Sequence, residues 1–204
     1  MILHGSQNVL FVRVPKCATI WTEGVIQAAG IPHERSARDP RFNFGPRHVA
    51  PWAVTSPYSA AFALVRHPLR WYESKYRYQA GRWAKGLPGR HHPCWPLIGI
   101  EGASFHEFME RVLEREPGFV TRLYEYMLGP AQAPTVDVVV RLEHVVDELP
   151  RAFAQLGLGA CEPRRAPAHT SFPHDVTWRD DLRARVLATE ASAIRRFYPD
   201  VPHG

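Results

Sequence analysis

The sequence has few of the features that mark membrane, secreted and metal-binding proteins. Its 204 residues include only 3 cysteines, Cys17, Cys94 and Cys161, which are too few and too scattered for a disulfide framework or a zinc site. No apolar run approaches the roughly 20 residues of a membrane-spanning helix, and MILHGSQ lacks the basic and apolar regions of a signal peptide. We therefore expect one domain over residues 1–204, in a reducing cytoplasm.

Negative charge is also in short supply. The chain has 25 Lys and Arg residues against 20 Asp and Glu, which gives a formal net charge of +5 and a pI near 9.4. A basic protein favours an anionic partner. Charge alone leaves nucleic acid, a nucleotide and an acidic substrate open.

Short apolar runs alternate with helical patterns along the chain. The runs predict buried strands at residues 9–14, 60–65 and 135–142. The helical patterns cover residues 18–29, the stretch from Pro68 onward, 105–115, 147–156 and 179–197. This alternation predicts an α/β fold, a three-layer sandwich in which helices flank a central parallel sheet.

One long segment, residues 81–103, has no periodicity. It is rich in Gly, Pro and aromatic residues, among them Trp83 and Trp95. Long loops of this kind inside a domain are often lids or binding loops. We interpret the segment as a substrate lid, with a plain surface insertion as the alternative.

The first chemical motif follows the first predicted strand. The loop PKCATIW, residues 15–21, leads directly into a helix, so loop amides and the helix N-terminus form an anion site. Lys16 adds a full positive charge, and Thr19 offers a hydroxyl and an amide. The GxxxxGK[ST] sequence of the NTPase P-loop is absent. The loop therefore predicts a phosphate-like ligand in another register; the alternative is a solvated lysine at a strand end.

The second motif is FALVRHPLRWYESKYRYQ, residues 62–79. Arg66 follows the second strand, and Ser74 lies two turns into the next helix, so both could bind one anion. The remaining basic residues of this helix are expected to lie in solvent; they are Arg70, Lys75 and Arg77.

The two motifs together resemble those of PAPS-dependent sulfotransferases, nearest to the carbohydrate-type and bacterial branch. PKCATIW is similar to their PKxGTTW-type 5′-phosphosulfate loop, and the separation of about 50 residues between the motifs fits. The second stretch resembles their 3′-phosphate motif through Arg66, Pro68, Arg70, Ser74 and Tyr76. Residues 141–158 and the ending RRFYPDV resemble later parts of the family, so the resemblance covers most of the chain. It implies a P-loop-like fold and sulfuryl transfer from PAPS to a hydroxyl or amine, with release of PAP.

Two loop residues depart from the family pattern. Ala18 stands where the family has glycine, which is tolerable if that position needs no positive φ. Ile20 replaces a threonine, so one side-chain contact to the phosphosulfate is lost and backbone amides must serve.

The resemblance implies roles for the loop residues. Lys16 would contact the 5′-phosphate and sulfuryl oxygens and stabilise the leaving group. Further contacts, mainly through backbone amides, would come from Cys17, Ala18, Thr19 and Ile20. Trp21 would stack on adenine, although a core tryptophan is the alternative.

Outside the loop, the resemblance assigns Arg66 and Ser74 to the 3′-phosphate. Arg164 and Arg165, in a basic segment with His169, would close over the nucleotide or lie in solvent. The family needs no metal, and none is predicted here.

The acceptor must lose a proton, so a general base is expected. His48 lies between the two anion motifs, as in the carbohydrate-type branch, and is the predicted base. Glu23 and His33 are the alternatives.

Three other functions stay open. One is a P-loop-type kinase or NTPase, which the missing GK[ST] disfavours, and another is a non-catalytic polyanion-binding protein. A thiol enzyme would need the pKa of Cys17 to be lowered by Lys16 and the helix N-terminus. The expected acceptor is a small molecule, a glycan or a peptide; neither nucleic acid nor a membrane is expected as a partner.

Overall fold

The computed structural model describes residues 1–37, 48–87, 102–163 and 176–200. The chain divides into two compact units, Met1–Arg66 with Leu123–Ala168 and His67–Arg122 with His169–Gly204. Within the described ranges, no helix has both the length and the apolar character needed to cross a bilayer.

The first unit holds a mixed five-stranded sheet. Its strands are β1 (Ile2–His4), β2 (Asn8–Val12), β3 (His33–Glu34), β4 (Ala60–Val65) and β5 (Val138–Arg141), and their order is β3-β1-β2-β4-β5. The predicted parallel arrangement is confirmed for β2, β4 and β5. Strand β1 instead pairs antiparallel with both β2 and β3. Its pairing with β2 is antiparallel because a turn of only three residues joins the two strands, and a parallel crossover needs a dozen or more.

The described residues form seven α-helices: α1 (Thr19–Ala28), α2 (Pro68–Trp83), α3 (Phe105–Arg115), α4 (Phe119–Leu128), α5 (Val145–Gln155), α6 (Asp180–Thr189) and α7 (Ala191–Phe197). The predicted bounds of β4 and α3 are confirmed, and the single predicted helix over 179–197 is divided into α6 and α7 at Glu190. Helix α4 was not predicted.

Aromatic packing forms the core of the first unit. The rings of Phe11 on β2 and Phe62 on β4 stack with centroids 4.9 Å apart. Phe153 on α5 meets the edge of Phe62 at 5.7 Å. Because both central strands are continuous apolar runs, they are buried, and their carboxyl ends lead into polar loops.

The second unit is helical, and α2 is its most buried helix. Residues 71–76 of α2 are all buried, and α3 and α6 both pack against it. The prediction that the basic residues of α2 lie in solvent is right for Arg70, whose side chain is 64% exposed. It is wrong for Lys75, which is 7% exposed, because two helices cover α2 on a wide face.

Candidate active site

The loop between β2 and α1 has an unusual backbone. Lys16 has φ 65° and Ala18 has φ 55°, so two non-glycine residues adopt left-handed conformations. The turn between them is closed by a hydrogen bond from the Cys17 amide to the carbonyl of Val14, at 3.4 Å. The Thr19 hydroxyl donates to the same carbonyl at 3.2 Å. The loop is therefore tight, and it stores strain next to its lysine.

Ala18 has a positive φ, a backbone conformation that glycine adopts with less strain than alanine. A left-handed non-glycine residue costs about 1–2 kcal/mol, and glycine's extra freedom in the unfolded chain offsets part of the relief. We expect Ala18→Gly to raise the free energy of unfolding by about 0.5–1 kcal/mol, measured by urea denaturation. Ala184→Gly, at an exposed position inside α6, is the control and should lower it by about 1 kcal/mol. Destabilisation by both changes would contradict the strain at Ala18.

Helix α1 directs its N-terminus at this loop without a side-chain cap. Ala18 is the residue before the helix and makes no side-chain capping hydrogen bond. The amides of Thr19, Ile20 and Trp21 belong to the first turn, which has no intrahelical acceptors. The partial positive charge of the helix end is therefore available to an anion. Ile20 is 73% exposed, so its side chain leaves this turn open.

Lys16 and Arg66 are brought together at one edge of the sheet. Val12 pairs with Ala63 in the parallel register, so the loop after β2 and the residue after β4 lie at the same carboxyl edge. The Arg66 Nη1 atom is 3.5 Å from the Lys16 carbonyl oxygen, and Arg66 is only 8% exposed. Burial, and secondly the Arg66 guanidinium, lower the pKa of Lys16 to about 8. The two cations are thus crowded in a poorly hydrated place, which favours an anion between them.

Cys17 has the opposite environment from that of a reactive thiol. Its side chain is 1% exposed, and burial is the main cause that raises its pKa to about 12. The thiol therefore stays protonated at neutral pH, which disfavours the nucleophilic role considered for Cys17.

His48 has a ring orientation suited to a base. Its Nδ1 atom is 2.7 Å from the carbonyl oxygen of Arg13, and a carbonyl only accepts, so Nδ1 holds the proton. This tautomer places the basic lone pair on Nε2. Arg13 lies three residues before Lys16, so the contact ties His48 to the segment that ends in the loop.

The alternative bases are less well placed. Glu23 forms an ion pair with Arg13, with Oε1 and Nε 2.9 Å apart. His33 lies on β3, opposite Leu3, which in turn pairs with Val9 near the amino end of β2. Since the loop follows the carboxyl end of β2, His33 is distant from it along the strand.

The remaining predicted residues fall in three groups. Ser74, in the second unit, is 1% exposed, and its hydroxyl has no hydrogen-bond partner among the described residues. Trp21 is partly buried in the first turn of α1. Arg164 and Arg165 lie outside the described residues, as does most of the predicted lid: only residues 81–87 and 102–103 of that segment are described, and 81–83 end α2.

Two residues near the loop were not anticipated. The carboxylate of Glu143, which follows β5, is close enough to contribute to the raised pKa of Cys17. Tyr124 on α4 contacts Cys17, with Sγ and the phenol oxygen 3.8 Å apart. The position of Glu143 directly after the third predicted strand, which is β5, is a sequence feature that could have indicated it. Nothing in the local pattern of α4 indicated Tyr124.

The described residues contain no group of three or more His, Cys, Asp or Glu side chains arranged to hold a metal ion. A comparison with protein-family models and a search of curated proteins both gave no match.

Proposed function

We propose that the protein transfers a sulfuryl group from PAPS to a hydroxyl or amine acceptor and releases PAP. The observation that supports this most is the pairing of Lys16 and Arg66 at the carboxyl edge of two adjacent parallel strands. Ligands of open α/β sheets bind outside the carboxyl ends of the strands. An uncapped helix N-terminus beside the partly buried Lys16 and the buried Arg66 suits a ligand with more than one anionic group.

Lys16 would act on the bridging oxygen of the donor. In this reaction the acceptor oxygen or nitrogen forms a bond to sulfur while the bond from sulfur to the 5′-phosphate oxygen breaks, so negative charge grows on that oxygen. Lys16 and the first-turn amides of α1 would stabilise that charge. A bound anion would counter the lowered pKa of Lys16, because an opposite charge favours the charged form.

Arg66 would bind the 3′-phosphate. Arg66 supplies a planar fork for two phosphate oxygens. The assignment of Ser74 to the same phosphate rests on the resemblance alone, because Ser74 belongs to the other unit.

His48 would accept the acceptor's proton at Nε2, while Arg13 holds Nδ1. We expect His48→Ala to lower turnover about 10²–10⁴-fold and to change PAP affinity less than about 3-fold. The measurement pairs initial rates with PAP titration by calorimetry. His33→Ala is the control and should retain turnover. If turnover and PAP affinity fall together in His48→Ala, His48 is a binding or structural residue.

Thermal-shift titration tests the proposed function. PAP is expected to raise the melting temperature, since a ligand that binds only the folded state stabilises it, whereas ATP with Mg²⁺ is not. Stabilisation by ATP with Mg²⁺ but not PAP would replace the proposal with a P-loop-type kinase or NTPase. Stabilisation only by oligonucleotides would replace it with a polyanion-binding protein. The acceptor is then found by an activity screen with labelled PAPS.

A further inference from the structure

Tyr124 connects the two parts of the candidate site through one phenol oxygen. That hydroxyl accepts a hydrogen bond from the backbone N–H of Arg66 at 2.9 Å and donates one to the Arg66 carbonyl at 2.6 Å. The Sγ atom of Cys17 lies 3.8 Å from the same oxygen. Tyr124 is 1% exposed. A single buried side chain therefore contacts both the residue after β4 and the loop after β2.

The backbone of Arg66 needs these bonds. Val65 is the last residue of β4 and pairs with Arg141, so the strand ladder stops before Arg66. Buried backbone groups are almost always paired, because an unpaired one is costly. Tyr124 supplies both a donor and an acceptor to Arg66, and so fixes the point from which its side chain extends.

We propose that Tyr124 is a positioning residue for the anion site, whose hydroxyl holds Arg66 so that its guanidinium stays beside the Lys16 loop. The identity of the anion, but not the positional role, rests on the proposed function. Tyr124 acts through Arg66 and not on the reacting atoms, since its hydroxyl is already engaged with the Arg66 backbone.

Titration of Lys16 tests the positional role without any nucleotide. The chain has three lysines, Lys16, Lys75 and Lys85, so ¹³C-methylated amines are readily assigned by NMR. In Tyr124→Phe, a guanidinium that is no longer held beside the loop repels the ammonium less. Lys16 is then expected to titrate at a higher pH than in the wild type. A Lys16 titration unchanged in Tyr124→Phe would overturn the proposal.

Nucleotide affinity gives a second measurement. PAP has the 3′-phosphate assigned to Arg66, whereas AMP lacks it. We expect Tyr124→Phe to lower the binding affinity for PAP about 10-fold and the affinity for AMP less than about 3-fold. Equal losses for the two nucleotides, or none, would overturn the proposal. If the wild type binds neither, the proposed function fails and the Lys16 titration alone decides the role of Tyr124.

A matched variant separates positioning from general destabilisation. Phe153→Leu alters the core of the same unit, and is expected to lower stability by a comparable amount while leaving the Lys16 titration and the ratio of PAP to AMP affinities unchanged. If Tyr124→Phe does not fold, hydrogen exchange of the Arg66 amide in the wild type decides. Exchange as slow as that of the β4 amides supports the bond to Tyr124, and exchange as fast as in exposed loops overturns it.

Discussion

Replacing Lys16 with methionine is expected to make the free protein more stable at neutral pH and, under the proposed function, to abolish the binding of PAP. The pKa of Lys16 falls from 10.5 to about 8 on folding, which means that folding disfavours the charged amine. Each unit of pKa corresponds to about 1.4 kcal/mol, and discounting for the partial exposure of Lys16 leaves about 1–2 kcal/mol. Methionine keeps the length of the stem without the charge. We expect a rise in melting temperature of roughly 3–6 °C.

The gain in stability should depend on pH with a definite sign. Between about pH 8 and 10.5 the unfolded chain keeps the Lys16 proton while the folded protein has lost it, so wild-type stability rises with pH. Lys16→Met lacks this dependence. Its advantage should therefore be full below about pH 8 and shrink as the pH approaches 10.5.

The loss of function in Lys16→Met should be large, because the substitution removes both a positive charge that binds PAP and the group that would stabilise charge on the leaving oxygen. PAP affinity should fall at least about 100-fold, and transfer at least about 10³-fold, as for the loss of a charge-stabilising donor. Lys85→Met, at an exposed position, is the matched control and should change stability by less than about 0.5 kcal/mol. Retained transfer in Lys16→Met would exclude Lys16 from the mechanism. An unchanged melting temperature would show that its charge is not buried.

A stability cost at Lys16 agrees with the strain in the same loop. Lys16 and Ala18 both have positive φ, and Arg66 places a second cation beside the lysine. Functional sites commonly hold charge and strain that the rest of the fold must offset. If the proposed function is right, the anion relieves the repulsion between Lys16 and Arg66, so ligand binding and folding stability are coupled.

Sequence reasoning predicted the parts of the fold that depend on local pattern. The run AAFALV gave β4 with its observed bounds, and the spacing of apolar residues gave α3. It missed β1 and β3, which have only three and two residues; runs so short show no periodicity. The antiparallel pairing of β1 with β2 follows from the tight turn between them. A prediction that lacks β1 therefore gives a parallel sheet instead of a mixed one.

The candidate site was predictable where chain order brings residues together. Lys16 and Arg66 each follow a parallel strand, so their meeting at one edge follows from topology. Tyr124 was not predictable in this way, because its bonds are to backbone atoms 58 residues away. The charge of Lys75 predicts a position in solvent, whereas packing of α3 and α6 against α2 buries it. Long-range contacts of this kind leave no local signal.

Glu190, between α6 and α7, is expected to be the residue on which the stability of the second unit depends most. It is fully buried and accepts four hydrogen bonds. Its Oε1 accepts from the Tyr72 hydroxyl at 2.5 Å and the Val120 amide at 3.1 Å. Its Oε2 accepts from both the amide and the hydroxyl of Thr121, each at 2.7 Å. Since Val120 and Thr121 are in the first turn of α4, Glu190 caps that helix with a negative charge.

Removal of this carboxylate should leave four donors without their acceptor. We expect Glu190→Ala to lower the free energy of unfolding by about 3–5 kcal/mol, measured by urea denaturation. Glu190→Gln keeps the shape of the side chain, but its amide N–H₂ group replaces one carboxylate oxygen and faces the two donors of that oxygen. We therefore expect a smaller loss in the free energy of unfolding, about 2 kcal/mol. Burial, chiefly, and the Glu190 carboxylate raise the pKa of Tyr72 well above its usual value, so phenol ionisation should begin at lower pH in both variants.

The control for this prediction is Glu114→Gln on the exposed side of α3, which should change the free energy of unfolding by less than about 0.5 kcal/mol. Tyr72→Phe removes one of the four donors along with its bond and should cost about 1–2 kcal/mol. In a double-mutant cycle, Glu190→Ala and Tyr72→Phe should be non-additive, because the hydroxyl and carboxylate contact each other. Strict additivity would mean that the Tyr72 hydroxyl and the Glu190 carboxylate do not interact. A loss below about 1 kcal/mol for Glu190→Ala would mean that the donors at the start of α4 find water instead, and that Glu190 is not the cap of this helix.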